Sequence, residues 1–369
     1  MAKAGKLETK DFPGLFKALS SRGYRIAGPT IQDNAVIYDY INAVDDLPVG
    51  WTDEQDNGRY RLKKSGRQNF FDYVVGPHSW KKFLFPPSRQ LLEIKKDKKK
   101  IEISEPDLKP PRHAFIGVRA CDLSAIAVQD KIFSEGPYAD PYYTEARKNL
   151  FIIAVNCTSP GGTCFCASLS TGPKATDGYD LALTEINSSD NHYFLIEAGT
   201  KSGEEVLKEI KISAAGNEEI QAAAEALEKA TANMGRSIKT EGLKDILHDN
   251  FDSLHWEEIA SRCLTCGNCT MVCPTCFCSN VEDVTDLTGQ QAERWRRWDS
   301  CYSVDFSYIH GGSIRVSEMS RYRQWMTHKL AYWQGQFGTL GCVGCGRCIT
   351  WCPAGIDITE EARYFREKA

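Results

Sequence analysis

Apolar positions along residues 1–202 come in short runs. "AVIYDYI" (35–41), "FFDYVV" (70–75), "HAFIGV" (113–118) and "FIIAV" (151–155) are each bounded by Gly, Pro, Asn or Asp. Runs of this length, rich in β-branched and aromatic residues, predict strands. "DFPGLFKALSSRGY" predicts an opening helix, and "LLEIKKDKKKIEIS" (91–104) alternates on both sides of a charged turn, as a hairpin does. Its lysine run reads as that solvated turn rather than a docking patch. The pattern changes after residue 202. "NEEIQAAAEALEKATANM" has helical spacing and ends near Gly235, and "EGLKDILHDN" and "LHWEEIASR" predict two short helices, the second running into Cys263. Beyond it, "TGQQAERWRRWDSC" and "SRYRQWMTHKLAYWQGQF" both read as mostly helical. The expected fold is α+β: a mixed α/β domain over 1–202, a helical connector over 203–262, and a helical domain over 263–369.

A chain of 369 residues exceeds one typical domain. Its 42% apolar and 25% charged residues suit a globular protein with a buried core. A net charge of −4 gives no bulk attraction to nucleic acid or to an anionic membrane. "MAKAGKLETKDFPGLF" lacks the apolar stretch of a secretory signal, and the longest apolar run, "LFIIAV", is too short to span a bilayer. A cytoplasmic protein is expected, without nucleic-acid or membrane partners.

Fifteen cysteines change the picture. An odd number cannot be fully paired within the chain, and in a reducing compartment cysteines read first as metal ligands. "CLTCGNCTMVCP" (263–274) and "CVGCGRCITWCP" (342–353) are one word written twice: cysteines with two, two and three residues between them, then proline. A [4Fe–4S] cubane takes one thiolate per iron, and in two-cluster ferredoxins the fourth cysteine of each run ligates the other cluster. Cys263, Cys266, Cys269 and Cys352 are therefore assigned to one cluster, and Cys342, Cys345, Cys348 and Cys273 to the other. The 263–369 module is then a dicluster ferredoxin-like domain. Structural zinc sites use paired C-x2-C knuckles, for which a run of three followed by a fourth has no use.

Cys121 in "GVRACDLSAI" and Cys157, Cys164 and Cys166 in "NCTSPGGTCFC" lie at or just after apolar runs. Loops at strand ends face a crevice, so the four are placed to converge there. A third cubane, zinc, or four buried free thiols are the readings open to them. Cys276, Cys278 and Cys301 read as fillers or as groups just outside a cluster. Among the cations and aromatics between the two words (Arg294, Trp295, Arg296, Arg297, Trp298, Arg315, Arg321, Arg323, Trp325 and Lys329), most read as solvated arginines and core tryptophans of amphipathic helices. One or two arginines are expected near a cluster.

No G-x-G-x-x-G opens a helix after a strand, no phosphate-binding G-x-x-x-x-G-K-[ST] occurs, and the seven histidines are scattered. No catalytic residue is predicted. An electron wire without terminal chemistry implies other subunits; the rival of another class is a zinc-stabilised structural interaction module.

The segments "GVRACDLSAI", "NCTSPGGTCFC" with "STGP" after it, "CLTCGNCTMVCPTCFC", "RWRRWDSC", "SRYRQWMTHK" and "CVGCGRCITWCP" resemble the β (iron–sulfur) subunit of cytoplasmic sulfhydrogenase-type NAD(P)-linked [NiFe] hydrogenases. They are also similar to the equivalent electron-transfer subunit of anaerobic sulfite reductase. The resemblance implies a flavin subunit exchanging electrons with NAD(P)H, this chain relaying them, and a [NiFe] hydrogenase large and small subunit (or a sirohaem reductase subunit) receiving them. It also supports Cys121, Cys157, Cys164 and Cys166 as ligands of a third [4Fe–4S] cluster.

Overall fold

The computed structural model describes residues 4–74, 76–98, 100–106, 109–188 and 191–368. Val75 of "FFDYVV" and Lys99 of the lysine run lie outside them. In chain order the main strands are β1 (Gly5–Glu8), β2 (Arg25–Gln32), β3 (Ala35–Tyr40), β4 (Trp51–Asp56), β5 (Arg59–Lys64), β6 (Ser88–Asp97), β7 (Lys100–Ser104), β8 (His113–Val118) and β9 (Phe151–Val155). They continue with β10 (Leu181–Asn187), β11 (His192–Ala198), β12 (Ser213–Ala214), β13 (Ser279–Thr285) and β14 (Gln291–Trp298).

Eight strands form one sheet in the order β12-β1-β11-β10-β9-β8-β2-β3. Its centre, β2, β8, β9 and β10, is parallel, with antiparallel strands on both flanks. Parallel strands covered on both faces read as continuous apolar runs, as β8 and β9 do. Side chains alternate between two cores. Ile153 and Val155 pack with Leu15 and Leu19 of helix Pro13–Ser21. Ile152 and Ala154 pack on the other face with Leu123 and Ile126 of helix Ala120–Phe133, and with Tyr143 and Ala146 of helix Pro141–Lys148. A third core, with Trp256, Trp325, Met326, Leu330, Ile349 and Phe365, underlies the cysteine words.

The expected hairpin is β6–β7, paired from Glu93↔Ser104 to Asp97↔Lys100. The buried run "FFDYVV" is not a strand over its described part. Its polar backbone is met by side chains instead. The Glu185 carboxylate accepts from Phe70 N (2.7 Å) and Phe71 N (2.9 Å), Asp53 Oδ1 accepts from Val74 N (2.6 Å), and Arg119 Nη2 donates to the Phe71 and Tyr73 carbonyls (2.7 Å each). This satisfies buried groups that would otherwise demand a ladder.

Two corrections concern the C-terminal half. "QAERWRRW" is strand β14, not helix: it pairs with β13 on one side and β6 on the other, giving a four-stranded sheet β13-β14-β6-β7. A purely helical dicluster domain is therefore not what forms. Nor is the connector wholly helical, because β12 pairs with β1 of the large sheet and helix Lys201–Leu207 straddles residue 202. Helices Asn217–Ala232, Leu243–Asp249 and His255–Arg262 do form as read. So does helical structure over Glu318–Phe337, interrupted by a π-turn at His328–Tyr332. No helix is long and apolar enough to cross a membrane among the described residues.

Candidate metal centres

Helix His255–Arg262 ends at Cys263, and the chain then wraps a cavity lined by Cys263, Cys266 and Cys269. Two thiols of the second word, Cys348 and Cys352, also line that cavity, and Cys352 is the one assigned as its fourth ligand. Burial raises the Cys263 and Cys269 pKa values, and Cys352 and Cys266 add to the effect. Tyr302, Tyr322 and Trp325 complete the walls. Tyr322 Oη, Trp325 Nε1 and, on the same helix, Arg321 Nε are buried without a hydrogen-bond partner. Native proteins seldom leave buried donors unmet, so orphans at a thiol-lined cavity fit an anionic occupant.

The second cavity is lined by Cys342, Cys345 and Cys348, with Cys273 supplied by the first word. Cys348 and Trp325 line both cavities, so the two centres are neighbours. The π-turn carries Lys329, whose buried Nζ donates to Thr275 Oγ1 (2.8 Å). Burial opposes the ammonium, yet Cys273, Cys276 and Cys342 hold its pKa well above the ordinary value. A hydrogen bond from the Cys276 thiol holds Cys273 well below the usual thiol range against the opposing effect of burial, and Lys329 assists. Lys81 is buried nearby, donating from Nζ to the Cys276 carbonyl (3.1 Å) and lying 3.8 Å from the Trp298 ring centre.

Cys276, Cys278 and Cys301 stand just outside these cavities. Cys276 pairs with Cys273, while Cys278 and Cys301 pair at the foot of the β13–β14 hairpin, where Asp299 N donates to the Cys278 carbonyl (2.9 Å). The hydrogen bond from Cys301 brings the Cys278 thiol down to about 7. Of the seven cations between the words, only Arg294 and Arg297 take the solvated role expected of most of them, and they do so on a strand, whereas Arg296, Arg321 and Lys329 are buried. Arg294 pairs with Asp283 (2.7 Å) and Arg297 with Glu282 (3.0 Å), both in the open, and Arg296 pairs with Asp140.

The remaining four cysteines gather at the carboxyl ends of adjacent parallel strands. Cys121 opens the helix after β8 and Cys157 follows β9, with Cys164 and Cys166 in the next loop. Cys121 and Cys166 share one buried cluster with Cys345 of the second word. Burial, then Cys157 and Cys166, push the Cys164 thiol well above its ordinary value. This loop lies directly on the second word: Cys164 Sγ is 3.8 Å from the Cys345 carbonyl, and Phe165 N donates to the Gly344 carbonyl (2.8 Å).

Two buried arginines, neither singled out by sequence reasoning, serve this third region. Arg119 braces the Phe71 and Tyr73 carbonyls, and its charge lowers Cys157 against the larger effect of burial. Arg347, inside the second word, donates from Nη2 to Asp122 Oδ1 (2.9 Å), next to Cys121. The signal available for Arg347 was a lone charge inside the otherwise uncharged "CVGCGRC".

Among the described residues, no three His, Cys, Asp or Glu side chains close on a point fit for a single ion. Instead the thiols of the two words line two neighbouring cavities, as polynuclear cores with one thiolate per iron require. Residues 262–356 match the family described as a 4Fe-4S dicluster domain, which contains both cysteine words. Over 365 residues, 98% of this chain and 98% of the relative, the sequence is 33% identical to sulfhydrogenase 2 subunit beta of Pyrococcus furiosus. No solved structure matches the chain. Its [4Fe–4S] dicluster domain gives it an electron-transfer iron–sulfur role, and the chain belongs to the family of sulfhydrogenase beta subunits.

Proposed function

We propose that the chain is the relay of a multi-subunit hydrogenase, passing electrons between a flavin subunit that reacts with NAD(P)H and a [NiFe] catalytic module. Cys263, Cys266, Cys269 and Cys352 hold one [4Fe–4S] cluster, Cys342, Cys345, Cys348 and Cys273 a second, and Cys121, Cys157, Cys164 and Cys166 a third. When bound, such clusters supply one-electron steps at potentials set by charge, hydrogen bonding and solvent exposure.

The observation that carries this reading is the adjacency of each thiol set to the next. Cys348 and Trp325 are shared between the first two cavities, and Cys345 packs with Cys121 and Cys166 of the third set. The chain's own residues bury Cys345 of the middle set and leave its other three thiols half-buried, put the buried cation Lys329 on the wall of its cavity, and leave Cys266 exposed at one end. An exposed thiol at one end suits transfer to a docked subunit.

Iron and acid-labile sulfide analysis of the native assembly tests this directly. Three cubanes give about twelve of each per chain and two give about eight. Zinc without sulfide would refute the relay altogether. Nickel in the co-purifying subunits is expected; sirohaem in its place would overturn the hydrogenase assignment while leaving the relay intact.

A further inference from the structure

Arg347 is fully buried, with no side-chain surface exposed. A guanidinium presents five N–H donors in a fixed fork. Nη2 is committed to Asp122 Oδ1, and Asp122 is held in turn by the Tyr38 hydroxyl, which donates to Oδ2 at 3.1 Å. Nε and Nη1 have no hydrogen-bond partner in spite of complete burial. Leaving a buried donor unmet forfeits its hydration with nothing in return, and the loss is larger for a charged group. A charged side chain with unmet nitrogens on two sides, fixed in place by an ion pair, is therefore turned towards acceptors that the protein does not supply.

Position identifies the acceptor. Arg347 belongs to the second cysteine word, yet it does not line the cavity ringed by Cys342, Cys345, Cys348 and Cys273. It reaches across to Asp122, the residue after Cys121, where Cys121 and Cys166 of the third set meet Cys345 in one buried cluster. Sulfides and thiolates of an iron–sulfur core accept hydrogen bonds, and a donor or cation beside the core stabilises its reduced, more negative state.

We propose that Arg347, locked by Asp122, directs Nε and Nη1 at the inorganic core held by Cys121, Cys157, Cys164 and Cys166, and raises the reduction potential of that core above the value its thiolates alone would give. Arg347 is a positioning and tuning residue; it ligates nothing. Because it rises from the loop of the neighbouring centre, it also fixes the spacing between the two. This inference rests on the three-cluster reading above.

The test is an EPR-monitored redox titration of the anaerobically purified full-length protein. C166S identifies the third-centre signal as the one that disappears. R347Q, which removes the cation, is expected to shift that signal to lower potential, and D122N, which removes the anion, to shift it upwards, with the other two signals in place. R347K keeps the charge but loses the fork and is expected to fall between wild type and R347Q. Opposite-signed shifts at one centre are not the mark of general loosening. Where R347Q loses iron because Asp122 is left buried and unpaired, R347Q/D122N leaves no lone charge behind, and its third signal is expected to change in line shape. An unmoved third signal in iron-replete R347Q, or an unchanged line shape in the double variant, overturns the proposal. A wild-type protein with about eight irons fails the three-cluster reading instead, which separates the two failures.

Discussion

Gly346→Ala tests how closely the third cysteine loop is seated on the second word. Gly346 has φ +74°, a left-handed conformation that costs an L side chain about 1–2 kcal/mol. A Cβ there would lie 2.5 Å from the Thr163 carbonyl oxygen and Oγ1 and 2.6 Å from its carbonyl carbon. The neighbour cannot easily yield, since Thr163 Oγ1 is bound to Thr350 Oγ1 (2.7 Å) and Gln55 Oε1 (3.1 Å) in a buried network. Overpacking of this kind adds about 1–3 kcal/mol, so the total is about 2–5 kcal/mol. Gly23→Ala is the control, because Gly23 has φ +77° and nothing within 4 Å of its missing Cβ. It should lose only the conformational part, about 1–2 kcal/mol. Thermal unfolding under anaerobic conditions, with iron counted per chain, reads both effects. Gly346→Ala is expected to be the less stable and to lose iron from the third site. Equal stability with full iron in both variants would refute the seating of the loop.

Three further outcomes follow from the geometry. Cys352→Ser should abolish the same EPR signal as Cys263→Ser, and Cys273→Ser the same signal as Cys342→Ser, each with a loss of about four irons per chain; the reverse pairing would dismiss the exchanged ligands. Burial, and secondarily Arg25, hold the His113 imidazole down to about 4 against an ordinary 6.5. The unfolded chain then binds the extra proton between those values, so stability falls as pH drops from 6.5 towards 4, by about 3 kcal/mol in all. His113→Phe should flatten that slope in denaturant titrations; an unchanged slope rejects the assignment. Arg297 and Glu282 are both well exposed at 3.0 Å, so Arg297→Ala should change stability by less than about 1 kcal/mol in urea melts.

Cysteine spacing made the dicluster domain legible, because a ligand set is a local rule of sequence; the exchange of Cys273 and Cys352 belongs to the proposal, supported by the cavity that each lines with the other word. The central strands were equally legible, since β8 and β9 are buried on both faces and read as unbroken apolar runs. The errors arose where tertiary pairing overrode local preference. "QAERWRRW" is built of good helix formers, but it lies between β13 and β6, and ladder bonds on both sides make it a strand. "FFDYVV" signalled burial correctly and pairing wrongly, because carboxylates of Glu185 and Asp53 do the work of a neighbouring strand. The roles of Arg119, Lys81 and Arg347 are set by partners far along the chain, such as Phe71, Cys276 and Asp122, and no window of sequence contains both ends.

The hairpin β13–β14, inserted between the two cysteine words, completes a sheet begun by β6 and β7 in the other half of the chain. The ferredoxin portion is consequently not a cassette. Cut out at Cys263 and grafted elsewhere, it would carry away a strand whose mate stays behind, baring an edge prone to sticking to other chains. Shuffling of genetic segments can transplant simple ferredoxins, but here the wire and its scaffold must be inherited together.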